Sequence, residues 1–311
     1  MPATIFFIST LFILAPLRAQ DEGQPLFKTG VADVRVDVQV TQGKDLVTGL
    51  GKDDFIVSDE GQPQTIVSFE HGDEPLNLLL LFDISDSMQP YIEEISHTAR
   101  QALEHLRPGD RVAIMVFARK TAVHQDFSDN LAESARQIAS AVKDWDVGVT
   151  THINSAIVDA AHYMEKHAAP GARRAILILT DNLATSYQIT DGQVIRELER
   201  ADTVFNAIVT GHAIRPNPPG LSMFPNKDET PTNVFHVAEQ TGGEWVKVGQ
   251  AGETFAEMIR RIRTRYMLAY HAPPAEPGTF RHITVKLSAE ARAKYPSAEL
   301  KCRSGYYAQA Q

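Results

Sequence analysis

Residues 76–82 read Leu-Asn-Leu-Leu-Leu-Leu-Phe and lead directly into Asp83. An apolar run of this length, without polar–apolar alternation, has no face to offer water. It predicts a strand covered on both sides, as in the parallel sheets of α/β proteins. The residues that follow agree with this. Ile92, Ile95, Ala99, Ala102, Leu103 and Leu106 recur at helical spacing over 88–106, and Pro108-Gly109-Asp110 ends the pattern. Strand-like runs are then expected at 111–117, 121–124, 175–179, 203–209 and 244–248. Helical patterns are expected at 130–142, 153–167, 193–201, 233–241 and 254–262. This alternation predicts a doubly wound, mostly parallel α/β sheet. Residues 211–231 break the rhythm with five prolines and read as a surface loop.

The flanks obey a different period. Residues 34–40, Val-Arg-Val-Asp-Val-Gln-Val, alternate as a strand with one buried face does, and shorter strands are expected at 54–57 and 64–69. Late strands are expected at 266–270, 280–287 and 298–306. Neither flank has enough strands to bury its own core. The two are therefore expected to combine into one discontinuous, sandwich-like all-β domain, 28–75 plus 265–311, with the α/β domain of 76–264 inserted between its halves.

Composition narrows the function. Of 311 residues, 30 are Lys or Arg and 39 are Asp or Glu, and the net charge of −9 argues against a nucleic-acid partner. Residues 5–16 are almost uniformly apolar and precede Leu17-Arg18-Ala19. This fits a signal peptide over 1–19 and export to the periplasm, the cell envelope or the medium. An uncleaved anchor is the alternative, because no Lys or Arg precedes the run. No later segment is long and apolar enough to span a membrane once the signal is removed. Cys302 is the only cysteine, so an intrachain disulfide and a Cys-based zinc site are both excluded. It is expected to be a buried, inert thiol on a strand.

The chemistry sits where the apolar strand ends. In Asp83-Ile84-Ser85-Asp86-Ser87, alternate residues of an extended segment project the same way. Asp83, Ser85 and Ser87 can thus converge at the carboxyl edge of the sheet, where open α/β sheets bind ligands. A carboxylate with two hydroxyls is a hard-oxygen set suited to Mg²⁺, Mn²⁺ or Ca²⁺. By itself D-x-S-x-S is a weak signal, since either serine could simply cap the next helix.

Two further loops carry matching donors, and at this point the chain resembles the von Willebrand factor A domain. That family's metal-ion-dependent adhesion site combines D-x-S-x-S with a Thr from a second loop and an Asp from a third. The second loop resembles residues 148–157, where Thr151 takes the place of the family threonine and Thr150 is the alternative. The third resembles 176–181, a buried strand ending in Thr180-Asp181, with Asn182 in place of the family glycine, a residue that also tolerates a left-handed turn. The resemblance implies a cation held by Asp83, Ser85, Ser87, Thr151 and Asp181. It also implies that an Asp or Glu of a protein partner completes the coordination. Asp86 and His152 are expected at the rim. Residues 47–50, 53–55, 59–64 and 305–308 are also similar to von Willebrand-A-related exported proteins of Acidobacteria, whose biochemical role is undefined.

Enzyme signatures are scarce. The eleven histidines form no H-E-x-x-H, and His162 and His167 would diverge on a helix. No G-x-S-x-G elbow or Walker loop occurs. The expectation is a non-enzymatic binding protein of open oligomeric state. The alternatives are a metal-assisted hydrolase, or a structural envelope protein with a vestigial metal site.

Overall fold

The computed structural model describes residues 33–141, 147–148, 150–185, 188–211, 213, 215–216 and 232–309. The expected signal segment and most of the proline-rich loop lie outside these residues.

The chain opens with β1 (Asp33–Gln42), the two-residue β2 (Asp45–Leu46), β3 (Phe55–Asp59), β4 (Gln62–Gln64) and β5 (Ser68–His71). It then enters the alternating region. This comprises β6 (Leu76–Asp83), α1 (Gln89–Leu103), β7 (Arg111–Phe117), β8 (Thr121–Ser128), α2 (Leu131–Ala141), α3 (Ile153–His167), β9 (Arg173–Thr180), α4 (Asp191–Arg200), β10 (Val204–Val209), α5 (Val234–Gln240), β11 (Trp245–Lys247) and α6 (Ala251–Arg263). Strands return with β12 (Tyr266–His271), β13 (Phe280–Leu287), β14 (Ala298–Lys301) and β15 (Gly305–Tyr307), and α7 (Ala289–Lys294) sits between β13 and β14.

The central sheet has the order β11-β10-β9-β6-β7-β8. Every pairing is parallel except β7 with β8. In β6 all eight residues are buried, and the pleat divides them between two cores. Leu76, Leu78, Leu80 and Phe82 pack with Ile92 and Ile95 of α1 and with Phe255 of α6. Leu79 and Leu81 pack with Ile153 and Ile157 of α3 and with Val194 of α4. Helices on both faces explain why the run carries no alternation. The fold is thus a doubly wound, mostly parallel α/β sheet with additional antiparallel sheets.

Those additional sheets draw on both ends of the chain. One has the order β14-β1-β12-β5 and the other β15-β13-β3-β4. A shared core of Val36 and Val38 from β1, Val57 from β3, Leu268 from β12 and Val285 from β13 lies between them. A buried ion cluster joins β1 to the α/β region. Asp37 accepts from Arg173 at the start of β9 (2.9 Å) and from Arg265 beside β12. Arg173 also donates to the carbonyl oxygens of Ile262 and Arg263 at the end of α6 (2.9 and 3.2 Å).

The structure departs from the expected elements in a few places. The strand expected over 64–69 is two strands, β4 and β5. The one expected over 298–306 is β14 and β15, joined through Arg303, which forms an isolated bridge to Thr241. Helix α7 is six residues long, too short to display a helical period, and is started by Ser288 Oγ accepting from Ala291 N (3.3 Å). Cys302 lies just past β14, half-buried, and burial pushes its thiol up from the ordinary range.

Candidate metal centre

Strand β6 lies between β7 and β9, so Asp83 emerges at the middle of the sheet's carboxyl edge. Ile84 N still donates to Phe117 O of β7 (3.0 Å), which directs the chain onward over the edge. Met88 N then donates to Ser85 O (2.8 Å), closing a single 3-10 turn over Asp86–Met88 before α1. Neither serine caps the helix. Ser85 makes no capping bond, and its Oγ lies 3.3 Å from Ser87 Oγ. Ser87 Oγ donates to Asp181 Oδ2 (2.7 Å). Asp83 is fully buried, with Ser85 N on Oδ1 (3.1 Å) and Thr180 Oγ1 on Oδ2 (2.8 Å). Asp86 points to solvent from the turn.

The third loop leaves β9 at Thr180 and is held tightly. Leu183 N donates to Asp181 Oδ1 (3.0 Å) and Asn182 N to Thr180 Oγ1 (3.1 Å). Asn182 adopts φ +58°, the left-handed conformation that the family glycine would supply. Its side chain joins the third loop to the start of α5, donating to Thr232 O (3.1 Å) and accepting from Val234 N (3.3 Å).

The second loop joins the third through Thr151. Thr151 N donates to Thr185 Oγ1 (3.0 Å), and Thr185 N donates to Thr151 O (2.8 Å). On its other side, His152 N donates to Ala118 O (2.9 Å), one residue beyond the Phe117 carbonyl that holds Ile84. The three loops therefore close into a ring: the first to the third through Thr180–Asp83 and Ser87–Asp181, the third to the second through Thr185–Thr151, and the second to the first through the end of β7. Thr151 is buried, while Thr150 Oγ1 is buried with no hydrogen-bond partner among the described residues. His152 is half-buried at the start of α3.

The electrostatics separate this site from the rest of the interior. Among the described residues six Asp or Glu are buried: Asp37, Asp59, Asp83, Asp110, Asp181 and Glu244. Four of them meet an arginine: Asp37 with Arg173, Asp59 with Arg281, Asp110 with Arg263 and Glu244 with Arg261. Among the described residues Asp83 and Asp181 have only hydroxyl and backbone donors. Burial pushes the Asp83 carboxyl up to about 6, and the nearby Asp181 charge adds to this, against the opposing hydrogen bonds of Ser85 and Thr180. Two buried carboxylates without a basic partner, ringed by hydroxyls, form an oxygen donor set that fits a hard dication. Among the described residues no three His, Cys, Asp or Glu side chains group together, so the set depends on hydroxyl oxygens.

Three contributors had no separate role in the sequence reading. Thr180 was visible only as the residue before Asp181, yet it holds Asp83. Thr185 carries no periodic signal at all. Leu183, 55% exposed, places an apolar side chain on the rim beside Asp181. Arg119 and Lys120 are exposed on the turn after β7, and Arg119 packs against Gly148 of the second loop.

Residues 78–183 match the family model of the von Willebrand factor type A domain, a stretch that includes all three loops. No curated protein matches the chain. Among solved structures the chain is similar to an aerotolerance-related membrane protein from Bacteroides fragilis, at 17% identity over 60% of this chain and 98% of that one, with a TM-score of 0.46. It is similar to the conserved hypothetical protein BatB from Bacteroides thetaiotaomicron, at 18% identity over 60% and 97%, TM-score 0.46. A von Willebrand factor type A protein from Catenulispora acidiphila is similar at 12% identity over 85% and 72%, TM-score 0.45. Among the described residues no helix is long and apolar enough to cross a membrane.

Proposed function

We propose that this chain is an exported, non-enzymatic binding protein that grips a protein partner through a divalent cation at the carboxyl edge of its central sheet. The observation that carries this reading is the pair Asp83 and Asp181, the buried carboxylates that have no basic partner among the described residues. Asp83, Ser85, Ser87 and Thr151 would hold the cation, with Asp181 contributing directly or through water and Thr150 as the alternative to Thr151. Mg²⁺ suits the set best, with Mn²⁺ or Ca²⁺ as substitutes. When bound, the ion supplies positive charge and an open coordination position for an Asp or Glu carboxylate from outside.

The chain's own residues do the rest. The ring of inter-loop hydrogen bonds fixes the donors before a partner arrives, which reduces the ordering cost of binding. The exposed Arg119 and Lys120 favour the approach of an acidic surface. Export rests on the apolar segment at 5–16, and the partner is accordingly sought in the cell envelope or outside the cell.

Calorimetry with Mg²⁺ tests the site: the full chain should bind with a saturable signal and Asp83→Ala should not. Equal or absent binding in both would remove the site. Affinity capture from envelope extract with Mg²⁺ or with EDTA tests its use, and a partner retained in EDTA would place the interaction elsewhere on the molecule. Metal-dependent turnover of generic phosphoester or peptide substrates would favour a hydrolase instead.

A further inference from the structure

The carboxyl edge of the central sheet carries different chemistry on the two sides of Asp83. Asp83 is level with Phe117 of β7, and Phe82 is level with Leu179 of β9, so the residues that follow β7 and β9 flank the site. On the β9 side stands Leu183, at 55% the most exposed large apolar side chain among the described residues. Its place is fixed by the backbone. Its N–H donates to Asp181 Oδ1 (3.0 Å), and the preceding Asn182 is tied to Thr232 O and Val234 N. On the β7 side stand Arg119 and Lys120, both exposed, and among the described residues neither forms an ion pair. Gly148, with φ +86°, makes room for the Arg119 stem: a Cβ there would lie 2.9 Å from Arg119 Cβ. The exposed Asp86 sits on the third side, on the turn that leads into α1.

On the cation-dependent reading above, on which this rests, we propose that the partner docks as an extended segment whose metal-binding Asp or Glu stands between an apolar residue and a second acid. The apolar residue seats on Leu183, and the second acid meets Arg119 and Lys120. The spacing follows from the sheet. Neighbouring strands lie about 4.8 Å apart, so β9 and β7 are separated by about 10 Å across β6. In an extended chain laid over the edge, alternate side chains face down and are about 6.7 Å apart, so three of them span about 13 Å. That is the strand separation plus part of the reach of the Arg119 side chain. The segment therefore reads apolar-x-acid-x-acid, and the edge fits it in either chain direction. Charge complementarity selects this occupant: a bound dication offsets Asp83 and Asp181, which leaves Arg119 and Lys120 as surplus positive charge on the β7 side. Asp86 repels an acid placed toward α1 and so reinforces the same orientation.

The test is calorimetry on the full chain in Mg²⁺ with the blocked peptide Gly-Leu-Ser-Asp-Ser-Glu-Gly and with its reversed order. Saturable binding of at least one is expected, and EDTA should abolish it. Exchanging Ala for the peptide Leu should weaken binding about five- to tenfold, as should Leu183→Ala in the protein, and the two changes together should cost little more than either alone. Exchanging Gln for the peptide Glu, or Arg119→Gln in the protein, should weaken binding about two- to fivefold at low salt, and this difference should fade in about 0.5 M NaCl. Both protein substitutions fall on exposed side chains and should leave the fold intact. Mg²⁺-dependent binding that does not distinguish the Leu peptide from its Ala counterpart would overturn the proposal. So would a chain that binds Mg²⁺ alone but neither peptide, and in both cases the cation site itself would stand. Absence of Mg²⁺ binding by the unmodified chain would remove the site and this proposal together.

Discussion

Replacing Asp83 with Asn keeps the side-chain shape and deletes a buried charge, so stability and cation binding should move in opposite directions. Burial raises the Asp83 carboxyl from its usual 3.8 to about 6. At 1.36 kcal/mol per unit, keeping that group ionised inside the fold costs about 3 kcal/mol relative to the unfolded chain. The folded value lies above the unfolded one, so the native state holds the proton more tightly. The stability from this group is fully present below about pH 4, declines as pH rises toward 6, and is lost above that. Asn has no such dependence, but it does have a cost. Thr180 Oγ1 donates to Asp83 Oδ2 (2.8 Å) while accepting from Asn182 N (3.1 Å). An amide NH₂ there would place a donor against a donor, a loss of about 1 kcal/mol. In EDTA, Asp83→Asn should thus be more stable than the unmodified chain by about 2 kcal/mol at pH 8 and less stable by about 1 kcal/mol near pH 4. Urea unfolding followed by circular dichroism at the two pH values measures both differences. Saturating Mg²⁺ at pH 8 should stabilise the unmodified chain and leave the variant unchanged. If the variant is the less stable protein at pH 8 in EDTA, or the difference does not move with pH, Asp83 is not an uncompensated charge and the argument for the site fails with it.

Other substitutions probe the framework around the site. Asp37→Ala leaves the buried Arg173 and Arg265 without their carboxylate and should cost about 3–5 kcal/mol in urea unfolding. Asn182→Gly relieves the left-handed backbone but removes the bonds to Thr232 O and from Val234 N. A net loss of about 1–2 kcal/mol is expected, with weaker Mg²⁺ binding in calorimetry. Gly243→Ala would set a Cβ 1.9 Å from Phe205 O, and thermal unfolding should show a loss of about 3 kcal/mol or failure to fold.

The central sheet was legible because its physics is local. Four consecutive leucines before Phe82 can be buried only if both faces are covered, and β6 lies between helices on both sides. The loops that bring Asp83, Ser87 and Asp181 together were legible through order along the chain, each following a buried strand. The connections between loops were not. Thr185 pairs with a residue 34 positions away, and nothing in its own neighbourhood marks it for that role. The same limit hid α7 and the break between β14 and β15, where a six-residue helix and a bridge from Arg303 to Thr241 leave no periodic trace.

Asp37 and Asp83 show where sequence and structure part company. Each is a buried aspartate in or at the end of a strand, Asp37 in an alternating one and Asp83 after an apolar one. Asp37 meets arginines 136 and 228 residues further along the chain, which neutralise it and lock β1 to the α/β region. Among the described residues Asp83 meets only a backbone N–H, hydroxyls and a second carboxylate. A buried carboxylate with a guanidinium partner is satisfied by the fold. One without such a partner draws its compensation from a proton or from a cation, and the pH-dependent crossing expected for Asp83→Asn discriminates between these two states of a single group.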